Sequence, residues 1–198
     1  MKRFVLGLTG SIGMGKTTTA ALFAAQGVAI WDADLSVHQL YAPNGAATQL
    51  IARIYPDVIE NGSVSRPRLR AKIAVDATVL ENLQMLVHPL VAASRAKYLL
   101  DHPEGIVVLD IPLLFETGTD SLCDGIAVVS TDADTQRNRV HSRGEMTEHE
   151  FELLLARQMP DDEKRRRATW IIPTDSPDTA KKAVAEIVAE ITKRLTNA

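Results

Sequence analysis

Eight consecutive residues, Gly10-Ser11-Ile12-Gly13-Met14-Gly15-Lys16-Thr17, fit the pattern G-x-x-x-x-G-K-[S/T] without a mismatch, and their flanks restrict the fold more than any other stretch of the chain. Ahead of them, Phe4-Val5-Leu6-Gly7-Leu8-Thr9 is a short apolar run that stops at a glycine, as a strand buried on both faces does. Behind them, Thr17 to Gln26 reads as a helix with Gly27 in the stop position. Val28-Ala29-Ile30-Trp31 then reads as a second strand, closed by Asp32-Ala33-Asp34. Strand, glycine loop, helix and strand in this order make a βαβ unit, which requires a parallel sheet in an α/β fold.

The rest of the chain extends that plan. Ile106-Val107-Val108-Leu109, ending in Asp110, and Gly125 to Ser130 read as a third and a fourth strand, and Trp170-Ile171-Ile172 as a short edge strand. The expected fold is a three-layer α/β/α domain with a five-stranded, mostly parallel sheet. Leu35 to about Leu100 is mostly helical in pattern, with turn chemistry at Pro43-Asn44-Gly45, Tyr55-Pro56-Asp57 and Asn61-Gly62. That is too long for a simple crossover, so it is expected to hold an inserted helical subdomain within residues 35–100. The core is then expected at about 1–34, 101–131 and 168–198, and a helical lid at about 132–167. Within the lid, Thr147-Glu148-His149-Glu150 is a capping box ahead of a helix that Pro160 ends. Ser176-Pro177-Asp178 starts a last helix with Ala180, Ala183, Val184, Ile187, Val188, Ile191 and Leu195 on one face.

Composition narrows the partners. In 198 residues, 22 basic against 25 acidic side chains leave a net charge of -3, which disfavours nucleic acid as the partner of the whole chain. One cysteine, Cys123, makes no internal disulfide, and the five histidines do not fall at zinc-ligand spacing. Met1 to Thr9 is too short for a secretory leader and no apolar run spans a bilayer, so a soluble cytoplasmic protein without a membrane partner is expected, as a monomer or small homo-oligomer.

The glycine loop carries the first functional reading. Glycines let successive backbone N–H groups of Ser11 to Thr17 converge on phosphate oxygens at a helix N-terminus; Lys16 adds a point charge and the Thr17 hydroxyl a ligand for Mg²⁺. A guanine-reading N-K-x-D is missing, and Asp110 is followed by Ile111-Pro112 instead of the glutamate of ATP-driven motors. A short chain with an inserted helical segment and late arginines suits a small-molecule kinase, which needs an acceptor pocket and a closing lid. On position alone either Asp32 or Asp34, at the carboxyl end of the second strand, accepts the acceptor's proton, or Asp34 merely caps a helix beginning at Leu35. Arg139 and Arg143, four apart on a helix begun near Thr131-Asp132, either neutralise transferring charge or form a solvated face, while Arg137 points elsewhere. The run Lys164-Arg165-Arg166-Arg167, behind Asp161, Asp162 and Glu163, reads as a surface or lid segment. A regulatory module that senses ATP, or a nucleic-acid binder using that basic run, are the competing classes.

The combination of Leu8 to Thr17, Asp32-Ala33-Asp34, Asn61-Gly62 with Arg66 and Leu69, His88-Pro89-Leu90 and Asp110-Ile111-Pro112-Leu113-Leu114-Phe115-Glu116 resembles the dephospho-CoA kinases over nearly the whole chain. Gln136, Arg139, Arg143 and Gln158 resemble that family's later motifs. The resemblance implies a P-loop fold and phosphorylation of the ribose 3′-hydroxyl of dephospho-coenzyme A by ATP with Mg²⁺. It implies Asp34 as catalytic base, Lys16 and Arg143 on the transferring group, and Arg139 in the lid. It further implies an acceptor site drawn from Asp32, Arg66, His88, Leu113 and Leu114. Read from the residues alone, Pro89 merely sets the direction of the chain after His88.

Overall fold

The apolar run before the glycine loop forms β1 (Arg3–Thr9), the middle strand of a sheet that also contains β2 (Ala29–Asp32), β5 (Gly105–Asp110), β6 (Gly125–Ser130) and β7 (Trp170–Pro173). The computed structural model describes residues 2–144 and 146–197. Strand order is β2-β5-β1-β6-β7, and the five strands run parallel. β1 pairs with β5 on one side, Leu6 opposite Val108, and with β6 on the other, Leu8 opposite Ala127. β7 takes the edge beside β6, as its short run predicts.

Alternation along these strands explains their continuous apolar sequence. Leu6, Leu8, Val108, Ala127 and Val129 pack with Phe23 of α1 (Lys16–Ala24) and with Val184, Ile187 and Ile191 of α9 (Pro177–Thr196). The intervening residues Val5, Val107, Leu109 and Val128 point the other way and are buried as well. Both faces of the sheet are therefore covered, the condition a parallel sheet requires. Because the strands are parallel, their carboxyl ends gather along one edge, and the glycine loop leaves from the middle of it.

Contacts divide the chain into two compact units, one of Met1–Trp31 with His102–Ala198, the other of Asp32–Asp101. The second unit holds α2 (Ala33–Tyr41), α3 (Ala46–Ile54), α4 (Arg66–Val75) and α5 (Thr78–Asp101) around its own core of Ala47, Ile51, Val58, Leu69, Val79, Leu83 and Val87. It also contains a two-stranded hairpin, β3 (Ile59–Glu60) and β4 (Ser63–Val64), that the mostly helical reading misses. Asn61 and Gly62 both have positive φ, 50° and 77°, the turn in which two-residue hairpins close. Pro89 does not redirect the chain: it lies inside α5, where its ring removes one helical hydrogen bond.

In the first unit, α6 (Ala133–Ser142), α7 (Glu148–Ala156) and α8 (Asp161–Arg167) follow β6. The capping box forms as expected, Thr147 Oγ1 accepting the Glu150 N–H while Glu150 accepts the Thr147 N–H. No described helix is long and apolar enough to cross a membrane.

Candidate active site

Three glycines shape the loop for different reasons. Gly13 and Gly15 sit at φ +80° and +91°, and Gly15 is the N-cap of α1. Gly10 is excluded from carrying a side chain by contact instead: a Cβ there would lie 2.2 Å from Val129 Cγ2 and 2.8 Å from the Val129 carbonyl oxygen. Gly10→Ala is therefore expected to destabilise the protein by about 1–3 kcal/mol, as overpacking against backbone does, and to displace the loop. Thermal denaturation checks it, and an unchanged midpoint would contradict the close approach.

The start of α1 is prepared for an anion. Its first turn contains no acidic residue, and Gly15 offers no side chain to cap it. The orphan N–H groups at a helix start then have a phosphate-sized acceptor as their natural partner, with the helix dipole adding to the attraction. Not every loop amide is available. Ile12 has both its backbone groups engaged, its N–H donated to Gln158 Oε1 at 3.1 Å and its carbonyl accepting from Gln136 Nε2 at 2.7 Å. The Met14 N–H is donated to the Ser11 carbonyl at 3.1 Å. Lys16 and Thr17 stand at the head of the helix, and Thr17 is exposed there.

Lys16 Nζ lies 2.5 Å from Asp110 Oδ1, with 14% and 3% of the two side chains exposed. Asp110 is set opposite Leu8 in the β1–β5 register, just before the loop begins, so the acid at the end of one strand holds the lysine that follows the next. The sequence reading takes Asp110 only as a strand end and an acid without a following glutamate; that position at the strand end is the signal for this contact. On the other side of the loop, Thr174 Oγ1 donates to the Met14 carbonyl at 2.8 Å. Arg139 grips the same residue, Nη1 on Thr174 Oγ1 at 3.0 Å and Nη2 on its carbonyl at 2.5 Å. Thr174 carries no motif that would reveal it.

That contact separates the two arginines expected on one face. Arg139 is half-buried and turned onto Thr174, whereas Arg143 is the exposed C-cap of α6, with no side-chain partner among the described residues. Arg137 does point elsewhere, to Glu148 at 3.0 Å, which also meets His141.

The aspartate pair divides its work. Asp32, not Asp34, caps α2: its Oδ1 accepts the Leu35 N–H at 2.9 Å. The helix begins at Ala33, two residues ahead of the start on which an Asp34 cap depends, and Asp34 stands exposed in its first turn. Arg66 is exposed at the start of α4, and His88 is exposed on α5. Burial holds the Tyr41 hydroxyl above its ordinary value, and the Arg66 charge offsets only part of that rise.

Leu113 and Leu114 also separate. Leu113 is 40% exposed, whereas Leu114 is fully buried against β1, its Cδ2 within 2.9 Å of where a Gly7 Cβ would sit. Glu116 turns toward α8, its Oε1 accepting the Met159 N–H at 2.8 Å and lying 3.0 Å from Lys164 Nζ. Lys164 is therefore not part of a solvated basic run: it has no exposed surface. Of its neighbours, Arg167 pairs with Asp120 at 3.0 Å and stacks over Phe115 at 4.5 Å.

Burial alone would raise the Glu116 carboxyl, but the Met159 amide and the Lys164 ammonium hold it below the ordinary glutamate value of 4.5. A carboxylate depressed in the folded state adds stability that is complete above its unfolded value and is lost as pH falls through the folded one. The stability advantage of the wild type over Glu116→Gln is thus expected to be full at neutral pH and to shrink below about pH 4.5. Melting temperatures of both proteins between pH 7 and pH 3 measure this, and a pH-independent gap would refute it.

A glycine loop between the middle strand and the first helix of a five-stranded parallel sheet, with a lysine at the head of that helix, defines the P-loop kinase fold. The family model described as dephospho-CoA kinase matches residues 4–179. The chain belongs to the dephospho-CoA kinase family. It is 52% identical over 191 residues to the dephospho-CoA kinase of Cereibacter sphaeroides, covering 96% of this chain and 97% of that one. It superposes on the crystal structure of a Thermus thermophilus protein with a TM-score of 0.85 at 28% identity, covering 96% and 98% of the two chains. With the dephospho-CoA kinase of Campylobacter jejuni the TM-score is 0.68 over 96% and 97%, a likeness of fold at 19% identity.

Proposed function

We infer that this protein transfers the γ-phosphoryl group of ATP to the ribose 3′-hydroxyl of dephospho-coenzyme A, giving coenzyme A and ADP in the last step of coenzyme A synthesis. The observation that carries the reading is the family match over residues 4–179, a span that contains the phosphate loop and both aspartates. The acceptor oxygen bonds to the γ-phosphorus, the bond to the β–γ bridging oxygen breaks with its electrons leaving on ADP, and the hydroxyl proton is released. Asp34 takes that proton, for which its exposed carboxylate, free of the capping bond that Asp32 makes, is suited. Lys16, Arg143 and the amides at the head of α1 offset the charge on the transferring group, since positioning and charge stabilisation supply most of the catalysis in such reactions. Arg139 holds the loop through Thr174 and acts by positioning. Leu113, Arg66 and His88 are the acceptor contacts the family pattern favours, with the buried Leu114 backing the Leu113 turn.

Mg²⁺ fits the donors present. Among the described residues no cluster of His, Cys, Asp or Glu could hold a metal by itself. The exposed Thr17 hydroxyl is the kind of single oxygen ligand that Mg²⁺ accepts when phosphate oxygens and water complete its shell. When bound, the ion would neutralise phosphate charge.

The test is a coupled assay of ADP release from ATP with dephospho-coenzyme A, adenylate or shikimate as acceptor. Release is expected with dephospho-coenzyme A and not with the other two. No acceptor-dependent release at all would overturn the reading in favour of a nucleotide sensor.

A further inference from the structure

The phosphate loop and the Leu113–Glu116 turn are separate in sequence, and a single dipeptide between α7 and α8 holds both. Gln158 Oε1 accepts the Ile12 N–H at 3.1 Å, while Gln136 fixes the Ile12 carbonyl from α6. The next residue, Met159, donates its own N–H to Glu116 Oε1 at 2.8 Å. The far end of this connection is anchored: wholly buried Lys164 reaches the same Glu116 oxygen, and Ser130 Oγ donates to Asp161 Oδ2 at 2.7 Å. Truncating either member of a buried ion pair is costly, so α8 has little freedom to leave this seat. Ile12 and the Glu116 turn are thus joined through two adjacent residues, Gln158 and Met159.

We propose that Gln158 is a positioning residue that couples the two substrate sites, so that nucleotide seated in the loop raises affinity for the acceptor and the acceptor raises affinity for nucleotide. This rests on the reading of dephospho-coenzyme A as acceptor and of the Leu113 turn as part of its pocket. The physical basis is shared protection: the Ile12–Gln158–Met159–Glu116 connection is formed in the structure, whichever substrate binds first holds it against local opening, and the second no longer bears that cost. Linkage makes the two effects equal in size. Gln158 does not touch the reacting atoms in this scheme, and only its oxygen is required, as acceptor for the Ile12 N–H.

The experiment is calorimetric titration of dephospho-coenzyme A into the protein with and without a non-hydrolysable ATP analogue, for the wild type, Gln158→Leu and Gln158→Glu. The wild type is expected to bind the acceptor about fivefold or more tightly when the analogue is present. In Gln158→Leu that ratio is expected to fall to about one, with each ligand alone binding within about threefold of wild type. Gln158→Glu keeps an oxygen for the Ile12 N–H and is expected to retain most of the ratio, a rescue that a space-filling role would not produce. Gln158→Ala gives the same reading should leucine prevent folding. An unchanged ratio in the leucine or alanine variant, an equal loss in Gln158→Glu, or no coupling in the wild type would each overturn the proposal. Wild-type protein that neither binds nor phosphorylates dephospho-coenzyme A would overturn the functional reading and this proposal with it; normal turnover with an unaltered ratio would overturn the coupling alone.

Discussion

Lys16→Ala is expected to lower kcat/KM by about 10³-fold or more and to weaken nucleotide binding at the same time. The size of the effect follows from where the ammonium sits. It stands at the head of α1, on the carboxyl edge of the sheet, only 14% exposed, where a charge acts through less water than at the open surface. Backbone amides of the loop survive the substitution, so some nucleotide affinity remains, but the ammonium at the head of the helix is gone. The variant also takes the ammonium away from the nearly buried Asp110 carboxylate, so its melting temperature is expected to fall. Turnover is for that reason measured per folded molecule, alongside direct nucleotide titration. Wild-type nucleotide affinity together with turnover within tenfold of wild type would remove Lys16 from the role.

What the sequence made readable was local. β1, the loop and α1 follow from contiguous residues, each with a physical signature of its own, and so does the Thr147–Glu150 capping box. The reading failed where a role depends on a partner far along the chain or on one residue of register. Asp32 and Asp34 look equivalent until the first helical residue is known, because the cap is whichever residue precedes it. The β3–β4 hairpin has strands of two residues each, too short for any alternation to appear. Four adjacent basic residues suggest a solvated face, yet successive helical positions differ by about 100° in direction, so one of the four, Lys164, faces inward onto Glu116. Gln158 and Ile12 lie 146 positions apart, a separation no spacing rule spans. In the same way Thr174 supports the loop through a hydrogen bond to Met14 that only the fold creates.

The division of labour between the two aspartates yields the second large effect. Asp34→Asn is expected to lower kcat by about 10²–10⁴-fold while leaving the KM for ATP within about twofold, the signature of losing a general base and little else. Asparagine has nearly the shape of aspartate, and Asp34 is exposed with its carboxylate free of the capping bond, so folding should be almost untouched. Asp32 provides the contrast. Its carboxylate closes the first turn of α2 on the Leu35 N–H, so Asp32→Ala is expected to cost about 1 kcal/mol of stability, whereas Asp32→Asn keeps a good cap. Stability and turnover should accordingly separate: the alanine variant at position 32 melts lower, and the asparagine variant at position 34 melts normally but turns over slowly. Steady-state kinetics and thermal melts of the three variants decide it. Near wild-type turnover in Asp34→Asn would reject the assignment of the base, since no other change in that variant could compensate for a missing proton acceptor.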